Sequence, residues 1–150
     1  MAANPWTLTN TAVEYIGDSL IDLDNDSFAV RLYLSTSNIS NTSDLLAALT
    51  NEHANANGYT TGGIALTTVT WNRAVAVSTF DADDVTWTAS GGSIIARFAV
   101  IVDTTAAGSP ILAWTTLDNT PADVTVTDGN PLNLNMNAGG IFTMTAPAAL

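Results

Sequence analysis

The chain has 150 residues, no cysteine and no lysine; Arg31, Arg73 and Arg97 face 14 acidic residues, for a net charge of -11. That balance excludes a phosphate-gripping nucleic-acid protein, because such affinity comes from cations that displace counterions. It also repels anionic membranes, and the missing cysteines exclude disulfide scaffolds and thiolate zinc centres.

The length fits a single domain over residues 1–150, with short N- and C-terminal arms, able to bury a core without metal or disulfide. No stretch approaches the ~18 consecutive apolar residues of a membrane span. Residues 1–6 have neither the basic nor the apolar region of a secretory signal. The expectation is a folded, soluble chain made in a cytoplasm.

Taken in chain order, residues 8–18 predict a short helix, with Thr7 as N-cap and Leu8, Ala12, Tyr15 and Ile16 close to one face. Phe28, Val30, Leu32 and Leu34 alternate with Arg31 and Tyr33, the pattern of a half-buried strand. A second short helix is predicted over residues 44–52, with Ser43 as cap and Leu45, Leu46 and Leu49 as its stripe. A long polar loop then runs over residues 51–63. Residues 64–71 and 74–80 predict a hairpin about Asn72-Arg73.

Residues 94–102 are almost continuously apolar, which suits a central strand covered on both faces. Further strands are expected over 111–117, 124–127, 132–136 and 141–145. Three diglycines, Gly62-Gly63, Gly91-Gly92 and Gly139-Gly140, mark sharp turns into strands. The sum predicts an all-β fold: a jelly-roll-like antiparallel β-sandwich with one or two short peripheral helices.

The chemistry-bearing residues are few. Asp22-Leu23-Asp24-Asn25-Asp26 spaces carboxylates as the opening of an EF-hand loop does. The glycine position then holds Ser27 and the terminal glutamate position Tyr33, so Asp22, Asp24 and Asp26 are weak metal candidates and a solvated turn is the expected role. Asp81, Asp83 and Asp84 form a second acidic turn. His53, the sole histidine, has no nucleophile elbow to serve and reads as a hydrogen-bonding loop residue. Arg97 interrupts the most apolar run, and a cation there must either reach the surface or pair with a carboxylate, for which Asp103 and Asp118 are the candidates. Trp6, Trp71, Trp87 and Trp114 could stack on sugar, but in a small β fold they belong first to core or interface. No catalytic constellation and no cofactor fingerprint is present.

Three stretches carry a resemblance. They are Leu49-Thr50-Asn51-Glu52-His53-Ala54-Asn55-Ala56-Asn57-Gly58-Tyr59-Thr60-Thr61-Gly62-Gly63, then Val85-Thr86-Trp87-Thr88-Ala89-Ser90-Gly91-Gly92-Ser93-Ile94 with Ala96-Arg97-Phe98-Ala99-Val100-Ile101, and Leu117-Asp118-Asn119-Thr120-Pro121-Ala122-Asp123-Val124. Across about residues 22–142 the chain resembles a family of small β-rich structural proteins of tailed bacteriophages. The resemblance implies capsid cement or decoration, where jelly rolls are common, or a place on the tail.

The expectation drawn from both readings is a non-enzymatic virion protein on the outer head surface. It would bridge major capsid subunits and self-associate as a dimer or trimer, with no cofactor, nucleic acid or membrane partner. The alternative is a tail or fibre component that binds a host-surface glycan or connects tail proteins. The uncharged, proline-containing ends point to Trp6, Pro147 and Leu150 as residues ordered by a neighbouring subunit.

Overall fold

The computed structural model describes residues 4–119 and 123–147. In chain order the elements are β1 (Thr7–Leu8), α1 (Asn10–Gly17), β2 (Phe28–Tyr33), β3 (Ile64–Ala65), β4 (Thr70–Ala74), β5 (Val77–Asp81), β6 (Val85–Thr88), β7 (Ile94–Ala96), β8 (Phe98–Asp103), β9 (Ile111–Thr116), β10 (Val124–Val126), β11 (Pro131–Leu134) and β12 (Phe142–Thr145). Five strands form one sheet in the order β1-β9-β8-β2-β3, three form β12-β5-β4, and β10-β7 and β11-β6 are pairs. Every pairing is antiparallel. The result is an all-β sandwich. The strands partition into sheets of five, three, two and two.

Alternation explains the core. Phe28, Val30 and Leu32 of β2 and Ala99 and Ile101 of β8 face inward onto Phe80, Trp87, Ile94, Leu132 and Leu134. The Phe28 ring meets Phe80 edge-on at 5.2 Å, and Phe80 stacks on Phe142 at 5.2 Å. The opposite face of the same strands is buried too. Tyr33, Val100, Val102 and Ile111 form a second cluster, roofed by Ile39, Leu46 and Leu49. Two-sided burial is what the unbroken apolar run required.

That run serves two sheets rather than one. The chain bends at Arg97; β8 continues as the middle strand of the five, while β7 turns away to pair with β10. The bend keeps its ladder bonds: the Arg97 amide donates to the Tyr33 carbonyl (2.8 Å) and its carbonyl accepts from Leu117 (2.9 Å).

The helices need two corrections. The first begins later than residue 8, because Thr7 and Leu8 pair with Trp114 and Ala113 as a strand. Thr9 is its cap: Oγ1 accepts from the Ala12 amide (3.2 Å) and donates to the Ile111 carbonyl (2.9 Å). The helix expected over residues 44–52 is only a 3-10 turn at Leu46–Ala48. Leu45 bridges to Pro110 and Glu52 bridges to Tyr33, so both ends are drawn into extended backbone. Two β bridges outweigh the weak propensity of a nine-residue segment.

The predicted hairpin exists, but its turn is Val75-Ala76, since Ala74 pairs with Val77 and Arg73 with Ser78. The first and last described segments are tied to the fold by neighbouring strands. Thr115 Oγ1 donates to the Asn4 carbonyl (2.8 Å), and the Ala146 amide donates to the Ala76 carbonyl (2.8 Å).

Among the diglycines, Gly63 is the most constrained. Its φ is +74°, and a Cβ there would lie 1.9 Å from the Val30 carbonyl oxygen, so it lets residues 62–63 cross β2 at backbone contact. Gly129 has a similar φ of +79° but open space around it. Gly129→Ala should cost about 1 kcal/mol from backbone strain alone, whereas Gly63→Ala should cost about 3 kcal/mol or more. Urea unfolding of both variants measures the difference.

Candidate functional site

The acidic loop before β2 is a self-satisfied turn. Asp22 accepts the amides of Asp24 (3.0 Å) and Asn25 (3.2 Å) and the Asn25 side-chain amide (2.9 Å), while Asp26 Oδ2 accepts the Asp22 amide (2.7 Å). These bonds hold the Asp22 carboxyl below the usual range, the Asn25 side chain contributing most. The three carboxylates do not converge: among the described residues no group of three or more His, Cys, Asp or Glu is placed to share a metal. The second acidic turn is spent likewise. Asp83 Oδ2 accepts from the hydroxyls of Thr67 (2.9 Å) and Thr68 (2.6 Å), and Asp84 Oδ1 accepts the Met136 amide (2.6 Å).

The expected pairing of Arg97 with Asp103 is overturned. The two stand at opposite ends of β8, six residues apart, about 20 Å along a strand. Asp103 is 0% exposed, and its Oδ1 accepts the amides of Thr105 (2.8 Å) and Ala106 (2.9 Å), closing the turn after β8. Arg97 is half-buried rather than buried, with its guanidinium 5.9 Å from the centre of the Phe98 ring; Asp118 is also half-buried.

A hub that the charge pattern did not reveal lies at Glu52. Its Oε1 accepts from the Tyr59 hydroxyl and from the Gly62 amide, each at 2.7 Å, and its Oε2 pairs with Arg31 at 3.2 Å. The Tyr59 oxygen in turn accepts the Leu32 amide (3.2 Å). Burial, with Glu52 nearby, pushes the Tyr59 phenol above its ordinary value, so it stays a donor. His53 extends the same stitching: its amide donates to the Leu32 carbonyl (2.9 Å), Nδ1 contacts the Ala54 carbonyl (2.7 Å), and its buried ring lies 5.1 Å from Tyr59. The loop of residues 51–63 is thus built onto β2. One signal was available in advance: Arg31 is the one cation on β2, and a cation that becomes partly covered there needs a carboxylate.

Two surface features remain. Val75, at the tip of the β4–β5 hairpin, is 92% exposed and holds φ at +56°, a left-handed conformation that is rare for a β-branched residue. Ala74, Ala76, Ala146 and Pro147 beside it are also exposed. The second is a shallow cleft of about 310 Å³ between the end of α1 and β4, lined by Ile16, Ile21, Leu23 and Trp71 with Asp22 and Asp24 at the rim. The interface expected of the chain ends needs revision. Trp6 is only 8% exposed and packs in the chain's own core, so it has almost no surface left for a neighbour. Pro147 is exposed, and Leu150 lies outside the described residues.

Family models, curated proteins and solved structures were each searched with this chain, and none matches.

Burial pushes the Asp103 carboxyl from 3.8 up to about 6, against the opposing pull of the Ala106 and Thr105 amides and with help from the neighbouring Asp26 carboxyl. A raised folded value means that its contribution to stability is full below about pH 4 and is lost as pH rises through about 6. Asp103→Asn keeps the amide acceptor without the charge. It should raise unfolding free energy near pH 7.5 by about 1–3 kcal/mol, and near pH 5 by about half as much. Denaturant titrations at the two pH values measure this.

Proposed function

We propose that this chain is a non-enzymatic virion structural protein, a capsid cement or decoration protein that lies on the outer head surface and bridges major capsid subunits. The observation that carries the reading is the hairpin tip. A valine held 92% exposed in a left-handed conformation contributes nothing to its own core. Seated in a neighbouring subunit it would contribute up to about 1.5–3 kcal/mol before ordering costs. Exposed Ala146 and Pro147 extend the same surface, bordered by exposed Arg73, whose guanidinium donates to the Val75 carbonyl (3.2 Å).

Three further points support the reading. Asp22, Asp26, Asp83, Asp84, Glu52 and His53 are committed to turns and loop anchoring. The stretches read as resembling phage structural proteins include residues 49–63, the segment that Glu52 and Gly63 fix against β2. The cation-poor surface suits an outer position, away from packaged nucleic acid. Self-association as a dimer or trimer belongs to the same proposal.

A second reading, a tail or fibre component that binds a host glycan, is favoured by the cleft, where Trp71 offers an aromatic wall and Asp22 and Asp24 offer acceptors.

Partial disassembly of virions that carry the chain separates the two. It should remain with purified heads at high copy number, and Val75→Asp should lower its incorporation at least tenfold while leaving the isolated chain folded. Recovery with tails and not heads, or full incorporation of the Val75→Asp chain, would overturn the cement reading.

A further inference from the structure

The hairpin tip and the Trp71 cleft are complementary in shape and in charge. The tip presents Val75, 92% exposed, between exposed Ala74 and Ala76. A cation stands with it: exposed Arg73 donates back to the Val75 carbonyl (3.2 Å), which holds its guanidinium at the tip. Arg31, by contrast, is spent on Glu52 (3.2 Å). The cleft of about 310 Å³ reverses each property of the tip. It is a hollow lined by Ile16, Ile21, Leu23 and Trp71, with Asp22 and Asp24 at its rim. Asp22 holds its own turn, while Asp24 enters that turn through its backbone amide and keeps its side chain exposed. Trp71 and Val75 are four residues apart, about 13 Å of extended chain. The ladder from β4 to β5 runs through residues 70–74 between them. The tip therefore cannot enter the cleft of its own chain, and an occupant with the tip's chemistry comes from another copy.

We propose that the Val75 tip of one copy seats in the Trp71 cleft of a second copy, with Arg73 of the incoming tip against Asp22 and Asp24 at the rim. Removing the valine and the cleft walls from water drives the contact. The cation brought to two carboxylates contributes orientation and specificity more than affinity. The pairing also meets the self-repulsion of a chain with net charge -11. At about 0.15 M salt, charges more than about 8 Å apart are largely screened, and the contact between Arg73 and the rim acids is shorter than that. Tip to cleft is a heterologous contact, so it closes into a ring where the rotation allows and otherwise adds copies in a row. The buried area is small, and the dissociation constant should be on the order of 0.1 mM, that of a transient contact. Copies held side by side on a particle meet at a higher effective concentration. The inference deepens the structural-protein reading by naming the contact through which the chain self-associates. It rests on that reading for its setting alone, because the contact forms between free chains.

Sedimentation equilibrium of the full chain tests it, from about 10 µM to about 1 mM in about 0.15 M sodium chloride. Weight-average mass should rise with concentration. Val75→Asp removes the apolar tip and leaves the cleft intact. Ser19 also lines the cleft, and Ser19→Arg fills it with bulk and positive charge while leaving the tip intact. Each variant alone should associate at least about tenfold more weakly than the unmodified chain. Mixed in equal amounts, the two should recover association and stop at the pair, because one intact tip meets one intact cleft. Both positions are exposed, and aspartate tolerates the left-handed backbone of residue 75 better than valine does, so thermal midpoints should match that of the unmodified chain. An unmodified chain that stays monomeric at about 1 mM, a folded variant that associates undiminished, or a mixture no tighter than its components would overturn the proposal. Any of these results, with Val75→Asp still failing to enter heads, would leave the cement reading standing and place the tip on the major capsid subunit instead.

Discussion

The antiparallel ladder between β2 and β8 is the constraint on which the rest depends. It is the longest uninterrupted pairing in the molecule, from Phe28 opposite Asp103 to Tyr33 opposite Phe98. Both of its faces are sealed, one by the aromatic core around Phe80 and Trp87, the other by the segment that carries Ile39, Leu46 and Leu49. A sheet buried on both sides penalises unpaired polar groups at its ends. Polar side chains at each end of the ladder therefore work as fasteners. At one end Glu52, Tyr59 and His53 bind the 51–63 loop to Arg31 and Leu32; at the other, Asp103 closes its own turn and Thr104 and Thr105 hold Ser27.

Among the described residues, Glu52, His53, Asp83 and Asp103 are used to join loops to strands or to close turns. Evidence of interaction lies instead in what the fold leaves outside: the Val75 tip, the neighbouring residues at 146–147, and the Trp71 cleft. The hairpin can carry such a tip because β12 pairs with β5 along its full length and anchors it to the body.

Local pattern made much of the fold legible. Alternation identified β2, the unbroken run identified the doubly buried strand, and the two strand-like stretches about Asn72-Arg73 identified the hairpin, though its turn falls at Val75-Ala76. What was hidden depends on residues far apart in sequence. The amphipathic stripe of residues 44–52 was real, and Leu46 and Leu49 do pack against the outer core. Its helix was lost to bridges with Pro110 and Tyr33, partners that no local window contains. Arg97 was matched with carboxylates near it in sequence, whereas strand geometry carries Asp103 to the far end of β8. Glu52 was passed over because an isolated acid in a polar loop has no distinctive spacing. Trp6 was read as a free arm because residues 4–8 gain their order only from β9.

Native-state hydrogen exchange tests this account most directly, because it measures which backbone bonds open only with the whole molecule. The amides of β2 and β8 should exchange last, with the His53 amide, which donates to Leu32, close behind, while the β4–β5 tip exchanges orders of magnitude faster. Exchange of the β2 and β8 amides at the rate of the hairpin tip would contradict the claim that this ladder, sealed on both faces, holds the structure together.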